Sequence, residues 1–362
     1  MREMNRRNMF RITGAGVLAA TVSIPRADAN PSSPLAASAR VDRLPNNVRL
    51  RGANIVCSAK PLGRPWTDFG TNVWAAMWTV WDWDNWIRPQ IDDAAALGNS
   101  VRLWGSTQTF LAGNITEDVY YARWRQLLDY CAKKELYMLP SGSDLQNDVK
   151  RSLSSTEAAA HYAKWVNMLA QYPGVIGVDL MNEAWGMTVP GTKSQSDYNW
   201  LLTTLRACAD AVHRQGLPVT VSFPVFDSSV WSWNSRGPAP AGPIFGDHPV
   251  EPFFELCDFL DFHIYADTTP ADIANTYTNT WAQGKPMMFG EFGIGADQPP
   301  AARSGFYDMV QQLVAARPDN LGALAWSCYD VNDTDNQYGL YSAPAKLRTD
   351  VAGAFASFPT TR

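Results

Sequence analysis

The sequence predicts a single (β/α)₈ barrel, and three observations support that fold class. The chain has 362 residues, 46% of them hydrophobic, which is enough for one large core. From residue 47 onward, short apolar runs rich in β-branched residues alternate with amphipathic stretches of helical period. Eight such runs with helices between them favour a closed barrel of parallel strands. The predicted strands are residues 48–56, 99–104, 135–140, 174–181, 218–223, 258–264, 286–290 and 321–327.

A doubly wound parallel sheet is the alternative architecture. It is disfavoured because no Gly-x-Gly-x-x-Gly turn follows the first predicted strand. We find neither a linker-like change of composition in the middle of the chain nor an internal repeat. Residues 46–362 are therefore expected to form one domain.

Two helix starts and two buried helix faces can be placed from the sequence. Ser154-Ser-Thr-Glu157 is a capping box, and Thr269-Pro270 puts a proline where a first helical residue would stand. Apolar residues spaced three and four apart predict the faces that pack on the barrel. They are Tyr121, Trp124, Leu127, Leu128 and Cys131 in one helix, and Tyr162, Trp165, Val166 and Leu169 in another.

The N-terminal residues indicate export. Residues 1–29 combine a basic start, a mildly apolar segment and the cleavage pattern Ala27-Asp-Ala29, which together predict a signal peptide. The segment Arg6-Arg-Asn-Met-Phe-Arg11 resembles a twin-arginine signal. Residues 30–45, with several Pro and Ser, are expected to be a flexible lead-in. The protein is therefore expected to be periplasmic or secreted.

Composition and charge argue against several classes of partner. The net charge of −5 gives no support for a nucleic-acid partner, and no apolar run is long enough to span a membrane. Four His and five Cys, without a Cys-x-x-Cys motif, predict no metal site and no cofactor. Cys57 and Cys328 follow the first and last strands, so a disulfide between them stays open. We expect a monomer.

Polar residues stand at the ends of several predicted strands, where barrel enzymes place their active sites. Asn182 and Glu183 end the fourth strand, and Glu291 ends the seventh. His263 and Tyr265 end the sixth and share a face, because alternate residues of a strand point the same way. We expect these side chains to meet at one end of the barrel. The other side chains at strand ends are Arg102 and Trp104 on the second strand and Trp326 on the eighth.

Two carboxylates at strand ends suit the cleavage of a glycosidic acetal. One protonates the leaving oxygen while the other attacks the sugar from the opposite face, and a separation of about 5–5.5 Å predicts retention of configuration. Glu183 precedes Trp185 at an apolar mouth, where a raised pKa would suit the acid. Glu291 is then the nucleophile, kept ionised by Tyr265 and Arg102.

The other strand-end residues are expected to surround the sugar. Asn182 is placed to hydrogen-bond the hydroxyl next to the reacting carbon. His263 is expected to bond either Glu183 or the sugar, and Trp326 to form the floor of the reacting subsite. Taken singly, each polar residue is also compatible with a buried group that its neighbours satisfy.

The tryptophan content points to a carbohydrate ligand. The chain has 15 Trp, and flat indole faces are suited to stacking on sugar rings. After the first strand, the alternation Trp81-Asp-Trp-Asp84 indicates that some of these rings face a cleft. The competing interpretation is helix packing, since Trp74, Trp78 and Trp81 have helical spacing. The candidate aromatic platforms are Trp81, Trp83, Trp104, Trp185 and Trp326.

These strand ends resemble the clan A glycoside hydrolases, and most closely glycoside hydrolase family 5, the cellulase and mannanase family. Asn-Glu ends a fourth strand, His-x-Tyr a sixth and Gly-Glu a seventh, within residues 47–342. The resemblance implies a retaining mechanism with Glu183 as acid/base and Glu291 as nucleophile. It also maps further residues onto that family's site, namely Arg102, Asn182, His263, Tyr265 and Trp326.

The sequence departs from the family's pattern at two places. Ala184 stands where the family usually has Pro, and no His follows the third strand, in Leu139–Asp144. These departures concern the exact family and the sugar bound at the reacting subsite, and both carboxylates are retained.

The sequence therefore predicts an exported, metal-independent retaining glycosidase with a β-linked oligo- or polysaccharide as its substrate. An endo-β-1,4-glucanase or a β-mannanase is the leading expectation. An exo-acting β-glycosidase or a transglycosylase would use the same site. A carbohydrate-binding barrel without catalysis is an alternative of another class, and a metal-dependent barrel enzyme is disfavoured by the lack of a His/Asp cluster.

Overall fold

A computed structural model shows parallel strands arranged as a barrel inside a layer of helices, which confirms the predicted fold class. It describes residues 43–56, 73–105, 108–111, 113–142, 153–184, 195–224, 244–245, 248–249, 251–266, 284–331 and 337–362. The strands are β1 (Leu50–Ile55), β2 (Ser100–Gly105), β3 (Tyr137–Gly142), β4 (Val178–Asp179), β5 (Val219–Thr220), β6 (Ser222–Pro224), β7 (Ile244–Phe245), β8 (His248–Pro249), β9 (Leu260–Tyr265), β10 (Met287–Gly293) and β11 (Asn320–Ala325).

The helices that surround the barrel alternate with its strands along the chain. Trp83–Ile87 is a short π-helical turn that leads directly into a regular helix. The helices are α1 (Val73–Val80), α2 (Arg88–Leu97), α3 (Gln108–Leu111), α4 (Glu117–Lys133), α5 (Ser155–Leu169), α6 (Gln195–His213), α7 (Glu251–Leu256), α8 (Pro300–Ala316) and α9 (Thr349–Ala356).

The fifth strand of the barrel is divided into two pieces, and together they close the sheet. β5 pairs with β4, whereas β6, which begins just after Val221, pairs with β9. The sheet order is β5-β4-β3-β2-β1-β11-β10-β9-β6, so its two ends are consecutive pieces of one strand. All ladders within this sheet are parallel. This order rules out the doubly wound alternative.

Local sequence signals account for the helices that could be placed in advance. Ser154 caps α5: its Oγ accepts the Glu157 N–H at 3.2 Å, and the Glu157 carboxylate accepts the Ser154 N–H at 2.7 Å. The residues predicted to face the core from α4 and α5 are all buried. The helix start predicted at Thr269-Pro270 lies outside the described residues.

Strand alternation divides the barrel interior into layers. Near the start of the strands the interior is apolar, and Leu44, from the predicted lead-in, is 3% exposed and packs there. Towards the strand ends the interior becomes polar, and it is then capped by Val56, Trp104, Trp326 and Val331. The other members of the lower apolar cluster are Leu50, Leu139, Ile176, Phe259, Met288, Leu321 and Leu324.

A one-residue bulge interrupts β10 immediately before its polar end. Met288 pairs with Asp261 and Glu291 pairs with His263, so three steps along β10 match two along β9. The Gly290 N–H, within the bulge, donates to Asp261 Oδ1 at 2.6 Å. The bulge therefore sets the direction in which the Glu291 side chain points from the strand.

The state of Cys328 bears on the disulfide that the sequence left open. Cys328 is a buried free thiol whose Sγ lies 3.4 Å from the Gln90 carbonyl oxygen, so the disulfide with Cys57 is not formed. Cys57 itself lies outside the described residues.

Within the described ranges, no helix combines the length and the apolar character that crossing a bilayer requires.

Candidate active site

The strand ends bring Glu183 and Glu291 together, with His263 between them. One carboxylate oxygen of each glutamate and a ring nitrogen of His263 lie within 4.8 Å of one another. His263 Nδ1 is 3.0 Å from Glu183 Oε1 and 3.5 Å from Glu291 Oε2. Relative exposure is 8% for Glu183, 1% for Glu291 and 0% for His263. Two buried carboxylates therefore face each other at the mouth of the barrel.

Two donors from neighbouring strands hold the Glu291 carboxylate. Tyr265 donates its hydroxyl to Oε2 at 2.5 Å, and Arg102 Nη1 donates to Oε1 at 2.8 Å. Tyr265 lies on β9 and Arg102 on β2, on opposite sides of Glu291 around the barrel. Each oxygen has its own donor, which fixes the plane of the carboxylate.

Arg102 is the central cation of the site. Its Nη2 donates to Asp179 Oδ2 at 2.6 Å and to Asn182 Oδ1 at 2.9 Å. Burial alone would lower the pKa of Arg102, but the charges of Asp179 and Glu291 outweigh it and raise that pKa. Its guanidinium also lies 4.3 Å from the centre of the Trp104 ring. Arg102 therefore stays charged and links the second, fourth and seventh strands of the barrel.

A hydrogen-bonded chain connects Asp179 to the backbone of Glu183. Asp179 Oδ2 accepts the hydroxyls of Ser141 at 2.8 Å and Ser222 at 3.0 Å. Ser222 Oγ in turn accepts the backbone N–H of Glu183 at 3.0 Å. Glu183 is thereby tied to β6 through a side chain that Asp179 orients.

The backbone of Glu183 lies in the left-handed region, with φ of +46°. Few residues other than glycine adopt this conformation, and such strain is concentrated at functional sites. The next residue, Ala184, donates its N–H to the Ser222 carbonyl at 3.2 Å. Proline has no N–H, so Ala184 makes a bond that the usual family residue could not make.

Two buried groups on β9 have shifted pKa values. Burial raises the pKa of Asp261 to about 7, while nearby positive charges on His263 and Arg102 oppose the shift. Burial also works against protonation of His263, but the charge of Glu291 and the hydrogen bond with Glu183 outweigh it and raise the pKa of His263. When protonated, His263 therefore carries its positive charge beside Glu291 and Glu183.

Trp104 and Trp326 lie in the layer that caps the polar interior. Their rings meet edge to face at a centroid distance of 5.4 Å, and each residue is 1% exposed. Tyr265 packs against the same cluster, which brings it beside Glu291. Trp185, predicted to lie at this mouth, is outside the described residues.

The structure places Trp81 and Trp83 in the helical layer rather than beside the two glutamates. Trp81 Nε1 donates to Gln126 Oε1 at 3.0 Å, and the Trp83 ring meets Tyr130 at 5.5 Å. Gln126 and Tyr130 both belong to α4, outside the barrel. The packing interpretation of these two rings therefore describes their contacts better than the cleft prediction.

Sequence reasoning missed the polar residues beneath the reacting groups. Asp179, Ser222 and Asp261 are each at most 1% exposed and contact the site from below. Strand alternation contained the signal for one of them, because Asp261 lies two residues before His263 and thus on the same face. Asp179 was hidden inside a run that was assigned as apolar throughout.

The Glu183, His263 and Glu291 cluster is small enough to hold a cation. Two features disfavour that use. Arg102 already places a positive charge 2.8 Å from Glu291. A metal also needs a neutral imidazole, whereas the surroundings of His263 raise its pKa and favour the protonated ring. The arrangement suits proton transfer and nucleophilic attack better than metal binding.

Comparison with known proteins gives structural but not sequence relatives. No model of a protein family matches the chain, and no curated protein matches it in sequence. Among solved structures, GH5_18 from Streptomyces cattleya in complex with GlcNAc is 17% identical, with a TM-score of 0.62, over 85% of this chain and 79% of the other. A family 5 xyloglucanase from Paenibacillus pabuli is 12% identical, with a TM-score of 0.58, over 85% and 97%.

A third structure of the same fold is named for an exo-acting enzyme. The exo-beta-1,4-mannosidase Op5Man5 from Opitutaceae bacterium strain TAV5 is 18% identical, with a TM-score of 0.58, over 85% of this chain and 58% of that one. At these identities the neighbours show the fold. The chain therefore has the barrel fold of glycoside hydrolases such as those of family 5.

Proposed function

We propose that the protein is a retaining β-glycosidase that acts on β-linked glycans through Glu183 and Glu291. The observation that carries the proposal is the approach of these two buried carboxylates to within 4.8 Å, at the strand ends of a barrel. That approach of one oxygen from each carboxylate fits the separation of about 5–5.5 Å in retaining enzymes better than the about 6.5–9.5 Å of an inverting pair, which must admit water. The glycoside hydrolases among the structural neighbours support the same reaction class.

The first step forms a covalent glycosyl–enzyme ester. A Glu291 oxygen attacks the anomeric carbon while the bond to the leaving oxygen breaks, and Glu183 gives its proton to that oxygen. Tyr265 and Arg102 hold Glu291 in line for the attack. In the second step Glu183 takes a proton from water, the water oxygen attacks the anomeric carbon, and Glu291 is released.

His263 acts on Glu183, and Asn182 acts on the sugar. His263 lies 3.0 Å from Glu183 Oε1, so it can stabilise the negative charge that Glu183 acquires after donating its proton. The carbonyl oxygen of Asn182 accepts from Arg102, which turns the amide nitrogen away from the guanidinium. We assign that nitrogen to the sugar hydroxyl next to the reacting carbon, where a hydrogen bond strengthens in the transition state.

Covalent trapping tests the nucleophile. A 2-fluoro glycoside slows the second step, so the sugar should remain attached and add its mass to a peptide containing Glu291. The Glu291→Gln variant should take up no label. Label on another residue, or hydrolysis with inverted configuration in a proton NMR time course, would overturn the assignment.

A leaving-group comparison tests the acid. Glu183→Ala should lose far more activity on natural glycans than on aryl glycosides with good leaving groups, which need no proton. Equal loss on both substrates would show that Glu183 is not the acid.

We propose that the protein acts as an endo-β-1,4-glucanase or a β-mannanase, with an exo-acting enzyme as the second candidate. The structural neighbours include both modes, since one is named an endoglucanase and another an exo-beta-1,4-mannosidase. Product analysis separates them: endo action releases mixed oligosaccharides early, whereas exo action releases a single small sugar throughout.

A further inference from the structure

A groove on the outside of the helical layer has the chemistry of a second sugar site. It has a volume of about 510 Å³, within the usual range for ligand pockets. We call it the Trp83 groove. Its walls combine two aromatic rings with charged and amide side chains, and the residues used below are Trp83, Arg125, Gln126, Asp129, Tyr130 and Lys133.

The Trp83 groove lies away from the proposed catalytic centre. α4 begins after the end of β2 and finishes just before the start of β3, so Tyr130 and Lys133, in its last turns, lie towards the beginning of the strands. Glu183 and Glu291 stand at the opposite ends of the strands. The α4 side of the groove therefore lies on the outside of the barrel, away from the reacting groups.

A ladder of stacked indoles anchors the aromatic wall in the core. Trp83 stacks on Trp81 at 5.7 Å, Trp81 on Trp78 at 5.3 Å, and Trp78 on Trp124 at 4.7 Å. Trp78 and Trp124 are fully buried, while Trp83 is only partly buried. The ring exposed in the groove is therefore held rigidly, and a rigid platform loses little entropy when it binds a ligand.

The second aromatic ring is fixed by an ion pair. Tyr130 meets Trp83 edge to face and donates its hydroxyl to Asp92 at 2.7 Å, and Lys134 binds the same carboxylate at 2.6 Å. The Tyr130 hydroxyl is thus directed away from Trp83. Both rings of the groove are held in position by contacts outside it.

The polar rim suits a neutral ligand with many hydroxyls. Arg125, Gln126 and Lys133 supply donors, Asp129 supplies acceptors, and all four are exposed. A strongly anionic ligand would meet Asp129, and a cationic one would meet Arg125 and Lys133. Sugar hydroxyls both donate and accept, so they match a rim of mixed charge around a flat aromatic face.

We propose that the Trp83 groove binds a neutral β-linked glycan chain as a non-catalytic site, so that the enzyme holds its polymer at a second point. The choice of glycan rests on the proposed function, but the groove and its contacts do not. A second point of attachment raises the effective concentration of substrate at the catalytic site.

Affinity electrophoresis of the Glu291→Gln protein tests the proposal, because binding is then read without turnover. In gels containing hydroxyethyl cellulose or glucomannan, adding Trp83→Ala should weaken retention roughly three- to tenfold, the size expected for one lost aromatic contact. Trp200→Ala is the matched control: Trp200 is also partly buried, but it lies on α6 and should leave retention unchanged. Equal retention with and without Trp83 would overturn the proposal.

A second variant guards against unfolding. Arg125→Ala with Lys133→Ala changes only exposed side chains, so it should lower retention while the melting temperature stays the same. In the active protein, Trp83→Ala should leave kcat/KM on small aryl glycosides unchanged and lower it on the polymer. Retention on polygalacturonate alone would replace the neutral ligand with an acidic one and refute the stated class. If no glycoside is hydrolysed, the proposed function fails, whereas the groove is judged on retention alone.

Discussion

At the scale of single residues, the site is an alternation of opposite charges buried at the mouth of the barrel. Arg102 stands between Asp179 and Glu291, and His263 stands between Glu291 and Glu183. Each cation therefore serves two carboxylates. In a medium of low dielectric constant, removing one such charge leaves its partners uncompensated. The resulting loss of folding free energy is larger than the net contribution of the ion pair.

Arg102→Met should lower the free energy of unfolding by about 3–5 kcal/mol, because it leaves Asp179 and Glu291 buried without their cation. Urea unfolding measures the loss. Arg88→Met is the matched control, since Arg88 pairs with Asp84 at 3.4 Å and their side chains are 43% and 77% exposed. Its effect should be much smaller. Equal effects would mean that the charges of the interior do not depend on Arg102.

Asp261 should make stability depend on pH. Its folded pKa of about 7 lies above the unfolded value of about 3.9, so the folded protein binds the extra proton. The resulting stability is complete below about pH 4 and is lost as the pH rises through about 7. Asp261→Asn, which cannot ionise, should therefore gain stability relative to the wild type between pH 5 and pH 8. Parallel curves in urea unfolding at several pH values would contradict this.

The residues proposed to react could be predicted from the sequence, but the residues that support them could not. Glu183, Glu291, His263 and Tyr265 stand at the boundary between an apolar run and a loop, a position that chain order alone reveals. Asp179 and Asp261 lie inside the apolar runs of the sequence, where a polar residue is recognised as part of a site only once its neighbours across the barrel are known. Trp83 was indicated by the sequence but placed wrongly, because its sequence pattern is the same for a cleft and for a helix surface.

At the scale of elements, the bulge in β10 positions Glu291, the proposed nucleophile. Asn54 donates to the Gly290 carbonyl at 2.9 Å, while the Gly290 N–H is bound by Asp261. Both backbone groups of the bulged residue are thus satisfied by side chains from β1 and β9. All eight barrel strands were placed to within a few residues, but the bulge depends on contacts between strands, which no local pattern records.

Gly290→Ala should disturb the bulge and with it Glu291. A β-carbon there would lie 2.2 Å from Asp261 Oδ2 and 2.4 Å from Oδ1, so backbone or carboxylate must move. We expect a lower melting temperature and a loss of activity of tenfold or more on aryl glycosides, measured on the same preparation. Gly305→Ala is the control: it lies in α8 with open space around it, and alanine favours helix by about 1 kcal/mol. Retained activity in Gly290→Ala would show that the bulge tolerates a side chain.

At the scale of the whole molecule, the barrel keeps two kinds of surface apart. The strand ends form the proposed reaction centre, and the Trp83 groove lies on the helical layer. Fold class was predictable because eight apolar runs and their helices are a global pattern. The placement of the groove was not, since it depends on how the π-helical turn at Trp83–Ile87 packs on α4.

The N-terminal segment defines where we propose this molecule works. Expression in a bacterium with a twin-arginine pathway should yield periplasmic or secreted protein beginning at Asn30, as read by N-terminal sequencing. Replacing Arg6 and Arg7 with Lys should retain the precursor inside the cell. Unchanged export would point to a different signal.

The divided fifth strand gives the two halves of the proposed reaction centre unequal strand pairing. β2 and β3 match over six positions, from Ser100 with Tyr137 to Gly105 with Gly142, whereas β4 and β5 match only at Val178 with Val219 and Asp179 with Thr220. Brief local opening is easiest where ladders are short, so amide hydrogens near the seam should exchange with deuterium sooner than those of β2. Glu183 follows this seam, while Glu291 lies within a seven-residue strand. We therefore predict faster exchange next to Glu183, the proposed acid/base, than next to Glu291, the proposed nucleophile.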